Sequence, residues 1–364
     1  MNANEVLANR AIEILGGKRG DYSVVHPNDH VNFGQSTNDT YPTAMRVSAL
    51  LCARELEPVL AALETAFDAK GQEFDHVLKS GRTHLQDAVP VRLGQEFAAY
   101  ARATGRGRQV LGDACRQASE LGLGGTAAGT GLNTPPGYRE KAIHYLREFS
   151  GLDLRPSPDM REAMQSCLPM SAIAAAQRMI ALEVIRITND LRLLASGPIT
   201  GMAEIILPAV QPGSSIMPGK VNPAILEMTA MVGFQVVGNA ATVDCAVQAG
   251  QLELNVMMPA MAFNVLMSFE ILKSSLTVLR TRCIEGIRAD EEACRRYAEL
   301  SPSIVTALNP YIGYAKGAEV VKEALRSKKT IPQVVREKGL MSEEELKRIL
   351  DPFKMTEPGI TGKS

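Results

Sequence analysis

Over positions 171–196 the apolar residues Ile173, Ala176, Ile180, Val184, Ile187, Leu191 and Leu194 recur at steps of three and four, the period of one helix face. Met179, Leu182 and Ile185 widen that stripe, and the stretch 228–243 carries no charge at all. Helices that are apolar over most of their circumference must be covered on several sides. In a soluble chain this points to a helix bundle. Its core is expected to continue across subunits, because one short bundle cannot cover so many apolar faces.

Gly197-Pro198 stops the first of these helices. Further helices are predicted over 41–68, 93–121, 137–149, 223–248 and 253–286, and strand-like alternation is nearly absent. The uncharged run between Glu253 and Glu270 is interrupted by Asn255, Pro259 and Asn264. It is also shorter than the ~20 residues needed to span a bilayer, so it reads as a buried helix. Towards the C-terminus the helices become shorter and more charged. Ser342-x-x-Glu345 forms a capping box ahead of Leu346, and Pro332 and Pro352 break the pattern, which marks a small separate helical domain.

With 45% hydrophobic residues the 364-residue chain can bury a sizeable core. Its 39 basic and 40 acidic side chains nearly cancel, so no global field draws it to nucleic acid or to an anionic membrane. Six cysteines are scattered without a C-x-x-C pair, which excludes an obvious disulfide framework or zinc site and suits a reducing compartment. The first residues, MNANE, contain no basic or apolar leader region, and a cytoplasmic protein is expected.

Four polar segments stand between the helices. In the first, Gln35-Ser36-Thr37-Asn38-Asp39 precedes a helix whose first turn holds Pro42, so Ser36, Thr37 and Asn38 lie at a positive helix end where a carboxylate is favoured. Simple capping, with Asp39 serving alone, accounts for the same spacing. The second, 80–87, places His84 between Thr83 and Gln86 in a non-periodic stretch, as a proton carrier, an amine partner or merely a polar surface group. The third, GLGGTAAGTG at 122–131, imitates a dinucleotide fingerprint but follows no strand; it reads as a tight glycine-dependent turn. His26 and His30 in HPNDH make a weak metal pair, since no third ligand is evident.

The fourth segment, QPGSSIMPGKVNP at 211–223, misses both the phosphate-loop and the G-x-S-x-G patterns. What it offers is a loop rich in donors, Ser214, Ser215 and Lys220, ending in an Asn222-Pro223 helix start, with Gly213 and Gly219 allowing it to move as a lid would.

The stretch GSSIMPGKVNP at 213–223 is similar to the signature of the aspartase/fumarase superfamily. NANEVLANRA at 2–11, HPNDHVN at 26–32, GRTHLQDAVPVRLGQEF at 81–97 and GGTAAGTGLN at 124–133 support the resemblance, which runs along almost the whole chain. It implies an all-α fold: a remnant of an N-terminal domain at 1–36, a central long-helix bundle at 37–290 and a small C-terminal domain at 291–364. It also implies a homotetramer whose active sites each draw on three subunits.

Within the superfamily the chain resembles the ammonia-lyase branch. Thr37 stands where hydratases usually show a second serine, 250–255 reads GQLELN, and 161–165 reads REAMQ. The implied reaction is the reversible deamination of L-aspartate to fumarate and ammonia through an aci-carboxylate, without a cofactor or metal. By the same resemblance Ser214 is the catalytic base. Ser36, Thr37 and Ser215 grip the β-carboxylate; Thr83, Lys220 and Asn222 grip the α-carboxylate. Asn38 and His84 hold the amino group, with Glu227 orienting His84.

The sequence departs from the family pattern at two places. Members usually carry a longer N-terminal stretch ending in a GTSTN-like segment whose threonine contacts the substrate, and its absence here implies weak or no turnover from this chain alone. Cys167-Leu168 stands where relatives tend to be polar. The competing expectations are a fumarate hydratase and a non-catalytic structural homologue.

Overall fold

The apolar repeats fold into long helices. In the computed structural model, which describes residues 2–363, α1 (Asn2–Ile14) leads through one π-helical turn, Pro27–Val31, to α2 (Thr37–Glu73). There follow β1 (Leu78–Thr83), β2 (Gln86–Arg92), α3 (Leu93–Ala118), α4 (Tyr138–Ser150), α5 (Met160–Gln165), α6 (Leu168–Leu194), α7 (Ala224–Gln248) and α8 (Met258–Arg282). The C-terminal part continues as α9 (Glu291–Leu300), α10 (Asn309–Ile312), α11 (Tyr314–Ser327), α12 (Ile331–Glu337) and α13 (Glu343–Ile349). The periodic stretch expected over 171–196 is α6, and the segments expected over 41–68, 93–121, 137–149, 223–248 and 253–286 are α2, α3, α4, α7 and α8.

Strand structure is present where the sequence shows next to no alternation. β1 and β2 pair antiparallel from Leu78 opposite Arg92 to Thr83 opposite Gln86, with an irregularity at Gly81. The buried positions of β1 are Lys79, Ser80 and Gly81, so polar residues occupy the inside and no apolar period of two can form. A Cβ at Gly81 would come within 2.6 Å of the Val89 carbonyl oxygen, which makes glycine the residue for that crossing.

Contacts gather the chain into two compact units, each made of three separated stretches. The first comprises the chain up to Val59, Arg106–Glu183 and Met231–Ser275. Its core is built from Met45 and Ala49 of α2, Ile173 and Ile180 of α6, Val236 and Val243 of α7, and Met261, Val265 and Phe269 of α8, all buried. Polar groups inside it are satisfied: the Gln177 amide donates to Val265 O at 3.1 Å, and the Asn239 amide to Ser268 Oγ at 3.0 Å.

The second unit comprises Leu60–Gly105, Val184–Ala230 and the chain from Leu276. Phe67, Phe74, Phe97 and Tyr100 pack edge to face and tilted at its centre, with the Phe74 and Phe97 ring centroids 5.2 Å apart. Its C-terminal part carries a cluster of its own, with Leu308, Val320, Val334, Val335, Leu346 and Ile349 buried together. The capping box forms as the sequence reads: Ser342 Oγ accepts the Glu345 N–H at 3.2 Å, and the Glu345 carboxylate accepts the Ser342 N–H at 3.0 Å.

The longest apolar helices are incompletely covered. Met231, Phe234 and Phe263 are 60%, 59% and 64% exposed, and Met179 and Leu182 of α6 also face outward. By length and composition alone, the helices at 168–194, 224–248 and 258–286 are apolar enough to cross a membrane. Each nevertheless carries ionisable groups along its length, among them Arg178 and Glu183 on the first, Asp244 on the second, and Glu270 and Lys273 on the third.

Candidate active site

In the first unit the site segment begins at the N-terminus of α2. Ser36 and Asp39 cap that end reciprocally: Ser36 Oγ accepts the Asn38 N–H at 3.2 Å, and Asp39 Oδ1 accepts the Ser36 N–H at 2.9 Å. Asp39 is fully buried and does more than cap. Its Oδ2 accepts the N–H groups of Gly124 and Thr126, both at 3.0 Å, and so ties the glycine-rich turn to the helix start. Burial pushes the Asp39 carboxyl above its ordinary value, and the three backbone donors oppose that shift.

The 122–131 segment is therefore a tight turn seated on α2 and not a nucleotide cradle. Gly129, at φ +82°, lies where a Cβ would meet Arg161 Cα at 2.6 Å. The Asn38 amide donates to Ala127 O at 2.9 Å, and Thr37 is exposed beside it, with no side-chain partner among the described residues. Nearby, the HPNDH histidines serve the backbone: His26 Nδ1 accepts from the amides of Asn28 and Asp29, and His30 Nδ1 from that of His26.

In the second unit Thr83 and His84 sit at the tip of the β1–β2 hairpin. His84 and Leu85 form its two-residue turn, with φ of +54° and +58°, a left-handed pair usually given to Asn-Gly. Such a conformation costs roughly 1–2 kcal/mol for each L residue, and strain of this kind concentrates at functional positions. The His84 imidazole makes no hydrogen bond among the described residues and is free to meet a ligand.

The hairpin stem is held by charge from within. The Lys79 ammonium, only 2% exposed, lies 2.8 Å from Glu96 Oε1 and 3.3 Å from Glu204 Oε2, while Arg82 donates to Glu204 Oε1 at 2.9 Å. Arg82 also lies over the Tyr297 ring, 5.3 Å from its centroid. Glu96 has its carboxyl pushed up by burial, against the pull of Lys79.

The serine loop closes on itself. Gly213, at φ +93°, brings the chain to Lys220, whose carbonyl accepts the Ser214 N–H at 2.8 Å; a Cβ at Gly213 would stand 2.6 Å from that oxygen. Inside this ring Ser214 Oγ accepts the backbone N–H groups of Ile216 and Met217 at 3.3 and 3.1 Å. Ser215 and Lys220 are exposed, and the Lys220 ammonium has no ion-pair partner among the described residues.

Lys220, Asn222 and Glu227 line a cavity of about 950 Å³ together with Asn189, Arg192 and Asp290. Within the chain Glu227 meets Arg192, at 3.5 Å, and not His84. Ser36, Thr37 and Asn38 thus belong to the first unit, and Thr83, His84, Ser214, Ser215, Lys220, Asn222 and Glu227 to the second.

Sequence reasoning passed over Asp39 as an anchor, and over Lys79, Glu204 and Arg192. Asp39 was visible as a cap, but its second role depends on amides 85 and 87 residues away. Glu204 carries no local signal at all, since Arg82 lies 122 residues from it in sequence.

The comparisons with known proteins place this helical scaffold among the lyases. The chain belongs to the aspartase/fumarase superfamily: the family model described as Lyase matches residues 1–238, and that described as Fumarase C C-terminus matches residues 304–357. Among its relatives, the aspartate ammonia-lyase of Bacillus subtilis (strain 168) is 45% identical over 363 residues, covering 100% of this chain and 76% of the relative. That of Pseudomonas fluorescens is 48% identical over 359 residues, 98% of this chain and 75% of the relative. Of solved structures, a cobalt-bound fumarate lyase/delta crystallin from Brucella melitensis superposes with a TM-score of 0.94 at 48% identity, over 98% of this chain and 78% of that one. A class II fumarase from Schistosoma mansoni follows at 0.93 and 37% identity, with the same coverage.

Proposed function

We propose that the chain is an aspartate ammonia-lyase, converting L-aspartate reversibly to fumarate and ammonia. The observation that carries the mechanism is the pair of backbone N–H groups aimed at Ser214 Oγ. Two fixed donors favour the alkoxide over the hydroxyl. This supplies the activation that no adjacent base in the sequence provides.

The Ser214 alkoxide takes a proton from the carbon beside the β-carboxylate. The freed electron pair is held as an aci-carboxylate by donors from Ser36, Thr37 and Ser215, which stabilise charge where it develops. Thr83, Lys220 and Asn222 hold the α-carboxylate, and Asn38 and His84 the ammonium group. As the pair returns to form the double bond, the C–N bond breaks and its electrons leave with nitrogen as ammonia. The elimination is redox-neutral and requires no electron carrier.

Glu227 pairs with Arg192 inside the chain and not with His84, so we read the site as one completed by other copies. A homotetramer with sites shared among three subunits fits the exposed faces of α6, α7 and α8, where Phe234 and Phe263 would be covered by the same helices of neighbouring chains. The six cysteines are all free, which suits a cytoplasmic setting.

The test is turnover of the purified chain, following fumarate by ultraviolet absorbance and ammonia by a coupled assay. Fumarate with equimolar ammonia from L-aspartate, at however low a rate, and none from L-malate, is the expected result. Fumarate from L-malate alone would make the chain a hydratase.

A further inference from the structure

Glu204 stands outside every segment assigned a role in the chemistry, yet it is fully buried and charged. Its Oε1 accepts from Arg82 at 2.9 Å, and its Oε2 faces the Lys79 ammonium at 3.3 Å without a directed hydrogen bond. Both cations belong to β1, the strand that ends at Thr83 and His84. With Glu96 on Lys79, the cluster holds two positive and two negative groups and is neutral as a whole.

The backbone of the same residue is equally engaged. The Glu204 N–H donates to Leu194 O at 2.9 Å, at the end of α6, and its carbonyl accepts the Asp290 N–H at 3.0 Å and the Cys294 thiol at 3.5 Å, at the start of α9. The next residues, Ile205 and Ile206, pair with Ala289 and Arg288 and then release the chain into the serine loop. One residue is thus fastened to the stem of the His84 turn through its side chain and, through its backbone, to the end of α6 and the start of α9, just before the chain runs on towards the Ser214 loop.

We propose that Glu204 is a positioning residue that sets the His84 turn relative to the serine loop. The assignment rests on the ammonia-lyase reading for its kinetic consequence but not for its structural one. A buried charge pair is a poor source of stability, because desolvation offsets the attraction, and its directed geometry is what an apolar pair cannot supply. Lys79 and Arg82 reach Glu204 from the same strand on either side of the Gly81 irregularity, so the contact fixes both the twist of the stem and the direction of its tip.

The experiment compares the wild-type chain, Glu204→Gln and the double variant Glu204→Gln/Arg82→Gln, by deuterium exchange of the 78–92 peptides and by aspartate turnover. Glu204→Gln leaves Arg82 with no buried counter-charge. The double variant restores neutrality without restoring the tether, and so remains informative if the single variant folds poorly. We expect the hairpin peptides to exchange about tenfold faster in both variants while α3 and α6 peptides are unchanged, and kcat to fall about a hundredfold with KM within about threefold, as for a misplaced catalytic group. Recovery of wild-type kcat and hairpin protection in the double variant would show that Glu204 only balances charge and would overturn the proposal. If the wild-type chain turns over no aspartate, the reading of its function fails at that point. The exchange data then decide the positioning role alone, unchanged hairpin protection in both variants being the result that sinks it.

Discussion

The His84 turn and the serine loop both arise from the second unit, and they are held in opposite ways. The turn is strained and exposed, but its stem is gripped from inside by Lys79, Arg82, Glu96 and Glu204, of which Lys79 and Glu204 are essentially inaccessible to solvent. The serine loop has no buried anchor between Gly213 and Val221; it keeps its shape through its own backbone, Ser214 N–H to Lys220 O and two amides on Ser214 Oγ. A group that must stay in place is mounted on tertiary structure, and a group that must be activated is mounted on local donors. Damage to the first should therefore register in stability as well as in rate, and damage to the second in rate alone.

The largest effect is expected at Ser214. Ser214→Ala removes the proton acceptor and should lower kcat by on the order of a thousandfold, the scale of a lost general base. Because Ser214 is only half-buried in a loop that packs against little, the thermal midpoint should stay within a degree or two of wild type. An equal loss of stability and activity would break the contrast, since it would make the loop a structural element.

Lys79→Met tests the other side. It leaves Glu204 and Glu96 facing each other across a buried site with one cation fewer, and breaking a buried pair by removing one partner costs roughly 3–5 kcal/mol. Urea denaturation should show that loss, with an unchanged slope. A cost below about 1 kcal/mol, the range of exposed pairs, would mean that water reaches the cluster and that the stem is not gripped from within.

These two regions also differ in how much of them could be read from sequence. The serine loop was legible as a motif, because Ser214, Ser215, Lys220 and Asn222 are contiguous and a short loop must use its own neighbours. Its activating amides were not, since a backbone N–H has no letter. The hairpin was missed altogether: Lys79 and Ser80 on its buried side abolish the apolar alternation, and the carboxylates that make the burial of Lys79 tolerable, Glu96 and Glu204, come from outside the hairpin. The helices were legible for the converse reason. A stripe such as Ile173, Ile180, Ile187 and Leu194 needs only an apolar partner of any kind, so its period survives without knowledge of what covers it.

Asp39 extends the contrast to the first unit, where a buried carboxylate again fixes an exposed polar segment. Asp39→Ala removes the acceptor from three backbone amides, of Ser36, Gly124 and Thr126. Leaving buried donors unsatisfied costs about 1–3 kcal/mol. Chemical denaturation should show a loss of that size, and the KM for L-aspartate should rise because Ser36, Thr37 and Asn38 lose their fixed placement. A stability loss with KM unchanged would separate the Ser-Thr-Asn segment from substrate binding.

The smallest effect separates the tip of the hairpin from its stem. Leu85 is 64% exposed, so removing its side chain forfeits little burial, and its φ of +58° is one that glycine adopts freely. Leu85→Gly relieves the left-handed strain but enlarges the freedom of the unfolded chain, and the net gain should be about 0.5 kcal/mol. If the stem cluster places His84, kcat should change by less than about twofold, because the Thr83–Gln86 pair and the charges behind it are untouched. If instead kcat falls by about tenfold while the protein becomes more stable, the strain at the turn is itself what holds the imidazole in its working direction, and the geometry is stored at the tip as well as in the buried charges beneath it.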